Sequence, residues 1–383
     1  MRIKINNIIS VTLLSFHKIL YNNIHRKKEK SSLLLVKAGH LGDIVLTTFV
    51  FQNKSLFSKF NKIYIILNKA HQNLFSDYDG EILLIFLDYR QYKYNIFYRF
   101  KFIKHLQSLG VKVAFNISFG RRILEDEITL LAGADSTYAF GDPKHFVKSF
   151  KPYIDKQYTK IIQRVSFNDH GDMIHSLSEI AGDISNKETK VFLNTSRVQY
   201  FYDLLNSSYS DRIKVCLAPL SSMNIKDWGD EKFISLINLI AEYKAEIFIL
   251  GTKKQKARLQ RYVKINPKII HNLAGKYTLI DNIALMSNCD LFIGLDSGFT
   301  HVAKALKIDY IGIIGGGSVG ICFPYNKDSN TEVLLYNPMP CFSCHWKCIL
   351  SEPFCLTKVE VDKVKRHIIN KLKLLSRNYK NNS

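Results

Sequence analysis

The 383-residue sequence predicts an α/β protein of two Rossmann-like domains with a cleft between them. Two series of short β-rich apolar runs carry this expectation. Each run is followed by a helical pattern, and strands alternating with helices imply parallel sheets covered on both faces. The length agrees, since about 150 residues per domain leaves room for two cores. Composition agrees as well: 46% apolar and 23% charged residues lie near the globular average and exclude disorder, collagen and coiled coil.

Residues 1–30 place Ile5, Ile9, Leu13, Phe16, Leu20 and Ile24 on one helical stripe, with seven basic residues against the single acid Glu29. This basic amphipathic helix suits an anionic lipid surface. It suits equally well packing on the protein's own core, because Ile8, Val11 and Leu14 widen the stripe. The longest early apolar stretch, Ile8 to Phe16, falls far short of a membrane span of about 20 residues. It leads into Arg26, Lys27 and Lys28 without a cleavage pattern, so neither a membrane helix nor a signal peptide is expected.

Residues 31–200 form the first expected domain, with strands at Leu33–Val36, Ile63–Leu67, Ile82–Leu87 and Val111–Phe115 and helices near 43–57 and 92–109. A polar stretch around 194–211 precedes the second domain, 201–357. Its expected strands are Ile213–Ala218, Ile247–Leu250, Leu291–Ile293 and Tyr310–Ile314, with helices near 230–242, 253–263, 278–287 and 299–306. Residues 358–383 read as a closing helix and basic tail, with Val361, Val364, Ile368, Leu372 and Leu375 at helical spacing.

The net charge of +21 favours anionic partners, although an AT-rich codon bias towards Lys, Asn, Ile, Phe and Tyr accounts for it equally well. Nothing beyond net charge points to nucleic acid, and none is expected as a partner. Seven cysteines are too few for a disulfide scaffold and fit a reducing, cytoplasmic compartment. Four of them, Cys341, Cys344, Cys348 and Cys355, crowd into fifteen positions. They could hold a structural zinc or iron, or remain reduced thiols closing a loop.

Three strand-to-helix turns carry the chemistry. After the first strand comes Lys37-Ala38-Gly39-His40-Leu41-Gly42-Asp43. The G-x-x-G spacing is wrong for a dinucleotide fingerprint, and Asp43 would repel a pyrophosphate. A helix N-terminus does keep such a carboxylate ionised and able to accept a proton, so Asp43 is a candidate base, or else simply a helix cap. Pro219 to Trp228 follows another strand, where Ser221, Ser222 and Lys226 could donate to phosphate oxygens. In Asp296-Ser297-Gly298-Phe299-Thr300-His301, backbone amides at a helix start are open to an anion. Gly315-Gly316-Gly317-Ser318 after the next strand gives a close backbone approach or a plain flexible turn.

Together, in this order, these motifs resemble the heptosyltransferases of glycosyltransferase family 9 over about Leu33 to Val364, most specifically in Asp296-Ser297-Gly298-x-x-His301-x-Ala303 preceded by Leu273-Ala274-Gly275-Lys276. The resemblance implies the GT-B fold and inverting transfer of a heptose from ADP-heptose to lipopolysaccharide core, with no cofactor required for catalysis. By the same resemblance Asp43 is the general base in an acceptor-side loop that includes Gly39, His40 and Gly42. Lys226 assists catalysis and, with Ser221, Ser222, Asp296, Ser297, Gly298 and His301, holds the nucleotide diphosphate. Lys37, Phe49, Leu220 and Gly229 depart from the family's usual residues without removing a charge the chemistry needs. The expected partners are a sugar nucleotide, a lipid-linked or lipopolysaccharide glycan and an anionic membrane surface, with the protein peripheral on the inner face of the cell membrane. A rival expectation is a non-catalytic GT-B-like scaffold. A nicotinamide oxidoreductase is disfavoured by the incomplete fingerprint.

Overall fold

The computed structural model describes residues 31–53, 55–118, 121–141, 151–163, 169–181, 184–323 and 331–381, with Thr12; the helix expected over 1–30 lies outside them. The chain divides into two compact units, Met1–Gln72 with Asp79–Glu188, and Asn73–Tyr78 with Thr189–Ser383.

The first unit holds strands β1 (Ser32–Lys37), β2 (Lys62–Asn68), β3 (Leu83–Leu87), β4 (Val113–Asn116), β5 (Ser136–Phe140) and β6 (Lys160–Ile162) in the sheet order β3-β2-β1-β4-β5-β6. Every pairing is parallel. The fully buried run Leu33 to Val36 takes the centre, as expected of a strand covered on both faces. Helices α1 (Leu41–Thr47), α2 (Ser55–Lys59), α3 (Tyr89–Tyr94), α4 (Ile96–Ser108), α5 (Ile123–Leu131), α6 (Lys151–Asp155) and α7 (Asp169–Ala181) accompany the strands.

The helix expected over 43–57 is broken: α1 passes into a 3₁₀ turn at Thr48–Gln52 before α2. Thr47 and Thr48 donate their hydroxyls to the carbonyls of Asp43 and Val45, and the Asn53 amide donates to that of Phe49. Such local bonds compete with the helical ladder. The helix expected over 92–109 is likewise two, because Asn95 turns extended and its side chain accepts from the amide of Tyr98, capping α4.

In the second unit, α8 (Thr195–Tyr209) leads to β7 (Ile213–Ala218), α9 (Asp230–Ala241), β8 (Ala245–Ile249), α10 (Lys256–Val263), β9 (Ile270–Asn272), α11 (Leu279–Met286), β10 (Leu291–Leu295), α12 (Gly298–Leu306), β11 (Asp309–Ile313), β12 (Glu332–Leu335), α13 (Phe354–Thr357) and α14 (Val361–Asn381). Its sheet is again parallel, in the order β12-β11-β10-β7-β8-β9. The polar stretch at 194–211 is in fact α8, capped by Asn194 and anchored by only Phe201 and Leu205, so its apolar stripe is too narrow to read. Val364, Ile368 and Leu372 of α14 join this unit's core, with Trp228, Phe233 and Ile237.

Candidate active site

Both sheets reverse strand order at one place, between β1 and β4 in the first unit and between β7 and β10 in the second. Ligands of open α/β sheets bind outside the carboxyl ends of strands at such switch points. The expected motifs follow β1, β7 and β10, so the topology brings the last two together.

In the first unit, β1 ends on Lys37, which is buried, and its ammonium stands 3.5 Å from Asp43 Oδ1. The His40 amide donates to Asp43 Oδ2 at 3.0 Å, while the Asp43 side chain keeps 40% of its surface open. Gly39 lets the backbone pass this carboxylate: a Cβ there would fall 2.6 Å from Asp43 Cβ and 2.8 Å from its Oδ2. Gly42 is buried within α1. The imidazole of His40 lies 3.3 Å from the Arg122 guanidinium, which in turn lies over the Tyr89 ring, 5.4 Å from its centroid. Burial, reinforced by His40 and opposed by Asp43, holds His71 below its ordinary pKa. Burial also pushes the Glu125 carboxyl up, against the pull of Arg122 and Lys37.

An open pocket of about 530 Å³ in the same unit is lined by Asn68, Lys69, Ala70, Asp88, Tyr89, Arg90, Lys93 and Tyr94. Arg122, His71, Tyr89 and this basic pocket went unread in the sequence. Arg121 and Arg122 follow the end of β4 as the motif loops follow their strands, which was the available signal.

In the second unit, Lys226 Nζ donates to Asp296 Oδ2 at 2.8 Å, and Ser318 Oγ donates to the same oxygen at 2.6 Å. Trp346 Nε1 donates to Ser318 Oγ at 2.9 Å, and its indole lies over Lys226, with Nζ 4.9 Å from the ring centroid. Asp296 is thus a buried anchor for a cation. Ser221 Oγ reaches the Asp296 carbonyl at 3.5 Å, and Ser222 is exposed on the same loop. At the start of α12, Ser297 Oγ is buried with no hydrogen-bond partner among the described residues, and Gly298 opens the helix. His301 is buried and stacked on Phe323, ring centroids 4.8 Å apart.

The glycine run is a packing feature. A Cβ at Gly317 would fall 2.7 Å from the Trp346 ring, and one at Gly316 would strike Phe342. Trp346 itself sits in a loop where Ser343, His345 and Trp346 all have positive φ. Nothing in the sequence pattern singled Trp346 out.

Cys341, Cys344, Cys348 and Cys355 line one cavity with Gly316, Gly317 and Trp346, only about 10 Å³ in volume. Burial, then the neighbouring sulfurs, push the Cys355 thiol up, against the Gly316 amide. Among the described residues no group of three or more His, Cys, Asp or Glu side chains is arranged to hold a metal ion. A structural zinc or iron is one of two readings of this cluster, and the described side chains are not arranged as its ligand set.

Two doubly wound parallel sheets, each with its polar turns at the switch point, are the architecture of the GT-B glycosyltransferases. The chain belongs to glycosyltransferase family 9, the heptosyltransferases, whose family model matches residues 156–349. It is similar to the lipopolysaccharide core heptosyltransferase OpsX of Haemophilus influenzae, 22% identical over 358 residues that cover 87% of this chain and 94% of the relative. Among solved structures, the family 9 glycosyltransferase of Veillonella parvula overlays with a TM-score of 0.73 at 16% identity, covering 91% of this chain and 99% of that one. The E. coli ADP-heptose lipopolysaccharide heptosyltransferase II gives 0.65 at 15% identity, over 90% and 99%.

Proposed function

We propose that this glycosyltransferase moves a heptose from ADP-heptose to a lipopolysaccharide-type core acceptor, with inversion at the anomeric carbon. The relatives support the sugar and the acceptor: one is a lipopolysaccharide core heptosyltransferase and another an ADP-heptose lipopolysaccharide heptosyltransferase. The observation that carries the reading is the Lys226–Asp296–Ser318–Trp346 chain beside the orphaned Ser297 hydroxyl and the amides that open α12. It joins an oriented ammonium to an unused hydroxyl donor and helix-start amides, a set suited to a diphosphate.

Chemically, Asp43 takes the proton of the acceptor hydroxyl as that oxygen attacks the anomeric carbon. The bond from this carbon to the diphosphate oxygen breaks on the opposite face, and ADP departs with the electron pair. General-base assistance of this kind contributes roughly 10²- to 10⁴-fold. Lys226, Ser221, Ser222, Ser297 and the Gly298 amide stabilise the charge growing on the diphosphate, while His301 shapes the wall behind it. Asp296 orients Lys226 rather than touching phosphate, since a buried carboxylate would repel it. Lys37 stands beside Asp43, its ammonium 3.5 Å from the carboxylate.

The acceptor is lipid-borne in this reading, so the enzyme works as a peripheral protein on the inner face of the cell membrane. No helix among the described residues is long and apolar enough to cross a membrane. The free cysteines suit a reducing compartment. The test is incubation of the pure protein with a panel of sugar nucleotides and heptose-deficient lipopolysaccharide. Product from ADP-heptose supports the reading; product only from another donor, or hydrolysis without transfer, overturns it.

A further inference from the structure

The corner formed by α3 and α4 presents an unusual surface. Helix α4 buries Arg99, Phe102, Ile103, Leu106 and Gln107 on one face, as a surface helix should. Its opposite face should be polar, yet it carries Ile96, Phe97 and Phe100, with Phe97 83% exposed and Phe100 49% exposed. Tyr94, 59% exposed, extends the patch across the turn. Lys101 and Lys104 share that helix face, one and two turns beyond Phe97, and Arg90 and Lys93 stand on α3. No acidic residue occurs from Tyr89 to His105, and none of these four cations has an acidic partner among the described residues.

We infer that this aromatic and basic corner of the first unit docks on the anionic headgroup surface of a bilayer. The side chains match that boundary: aromatic rings enter the interface while long cationic side chains stay among the phosphates. Charge complementarity selects this occupant over a second copy of the chain, because two such corners would bring like charges face to face. Position supports it too. Tyr89, the first residue of α3, lies under Arg122, which contacts His40 beside Asp43, and Arg90, Lys93 and Tyr94 also line the open basic pocket. Docking there sets the candidate base and its pocket next to the lipid surface from which an acceptor glycan projects. The surface also gives the protein membrane attachment that does not depend on residues 1–30.

The inference rests on the reading of a lipid-borne acceptor, but its test contains no glycan, so the two fail separately. Full-length protein is sedimented with phosphatidylglycerol vesicles and with phosphatidylcholine vesicles. Strong, salt-sensitive binding to the first alone is expected. Lys101→Gln/Lys104→Gln should weaken it by about fivefold for each charge removed. Phe97→Ser/Phe100→Ser should weaken it at least tenfold, with the thermal midpoint and ADP affinity unchanged because all four positions are exposed. As an independent readout, the Phe97→Trp variant should gain indole fluorescence that brominated phosphatidylglycerol quenches. Equal binding by the substituted and original proteins, equal binding to neutral vesicles, or an added indole signal that brominated lipid leaves unquenched would each overturn the assignment.

Discussion

Replacing Trp346 by Phe tests whether the loop after β12 works through Lys226 or merely fills space. The substitution keeps a ring beneath the ammonium but removes the indole N–H that donates to Ser318 Oγ at 2.9 Å. Ser318 then loses the partner that fixes its own bond to Asp296, the carboxylate that holds Lys226. A hydrogen bond of this kind contributes about 1 kcal/mol, so ADP should bind about fivefold more weakly. Trp346→Ala removes the cation–π contact as well, worth about 1 kcal/mol for a cation as sheltered as Lys226, and the loss should reach roughly thirtyfold. Lys226→Met alone should cost up to about 3 kcal/mol, on the order of a hundredfold. Calorimetric titration with ADP reads all of these. The decisive comparison is the cycle: with Lys226 already Met, adding Trp346→Phe should change ADP affinity less than about twofold, because coupled residues are not additive. The same fivefold loss in both backgrounds would refute the reasoning and leave Trp346 a packing residue.

Gly39→Ala drives a Cβ into the Asp43 side chain and should cut turnover at least tenfold while ADP affinity in the second unit stays unchanged, by paired kinetics and calorimetry. Arg99→Ala strands Glu127, a fully buried carboxylate whose other partner is the Tyr92 hydroxyl, and should lower unfolding free energy by about 3 to 5 kcal/mol in a urea titration. His71 titrates below its ordinary value of 6.5, so the unfolded chain takes up that proton first as pH falls. Stability contributed by the neutral ring is therefore present above pH 6.5 and lost below it, and His71→Gln should flatten the fall of the thermal midpoint between that pH and the folded-state value.

The alternation of apolar runs made the two parallel sheets readable, because strands buried on both faces must be continuously apolar. Weak strands escaped. Ser136–Phe140 and Lys160–Ile162 lie towards one edge of the first sheet, where a run mixing polar and apolar residues, such as Ser-Thr-Tyr-Ala-Phe, lacks that signature. Asn95 was legible as a polar residue but not as a cap, since only the fold decides whether a helix ends there. The candidate residues after β1, β7 and β10 are legible because strand, turn and helix are contiguous in sequence. Ser318 ends the glycine run that the sequence singles out, but its bond to Asp296 and the contacts of Trp346 come from separate loops and no local pattern announces them. Asp296 looked like a ligand from its motif. In the structure its carboxylate accepts from Lys226 and Ser318, contacts that the motif alone does not reveal.

In the proposed reaction Asp43 is the base for transfer from ADP-heptose while the second unit holds the donor. The most direct measurement takes Asp43→Asn and the original protein side by side, following addition of one heptose to heptose-deficient lipopolysaccharide by mass spectrometry and ADP-heptose binding by calorimetry. The account predicts a turnover loss of roughly 10² to 10⁴ with donor affinity held within about twofold. Near-normal transfer by Asp43→Asn, or loss of donor binding along with activity, would contradict it.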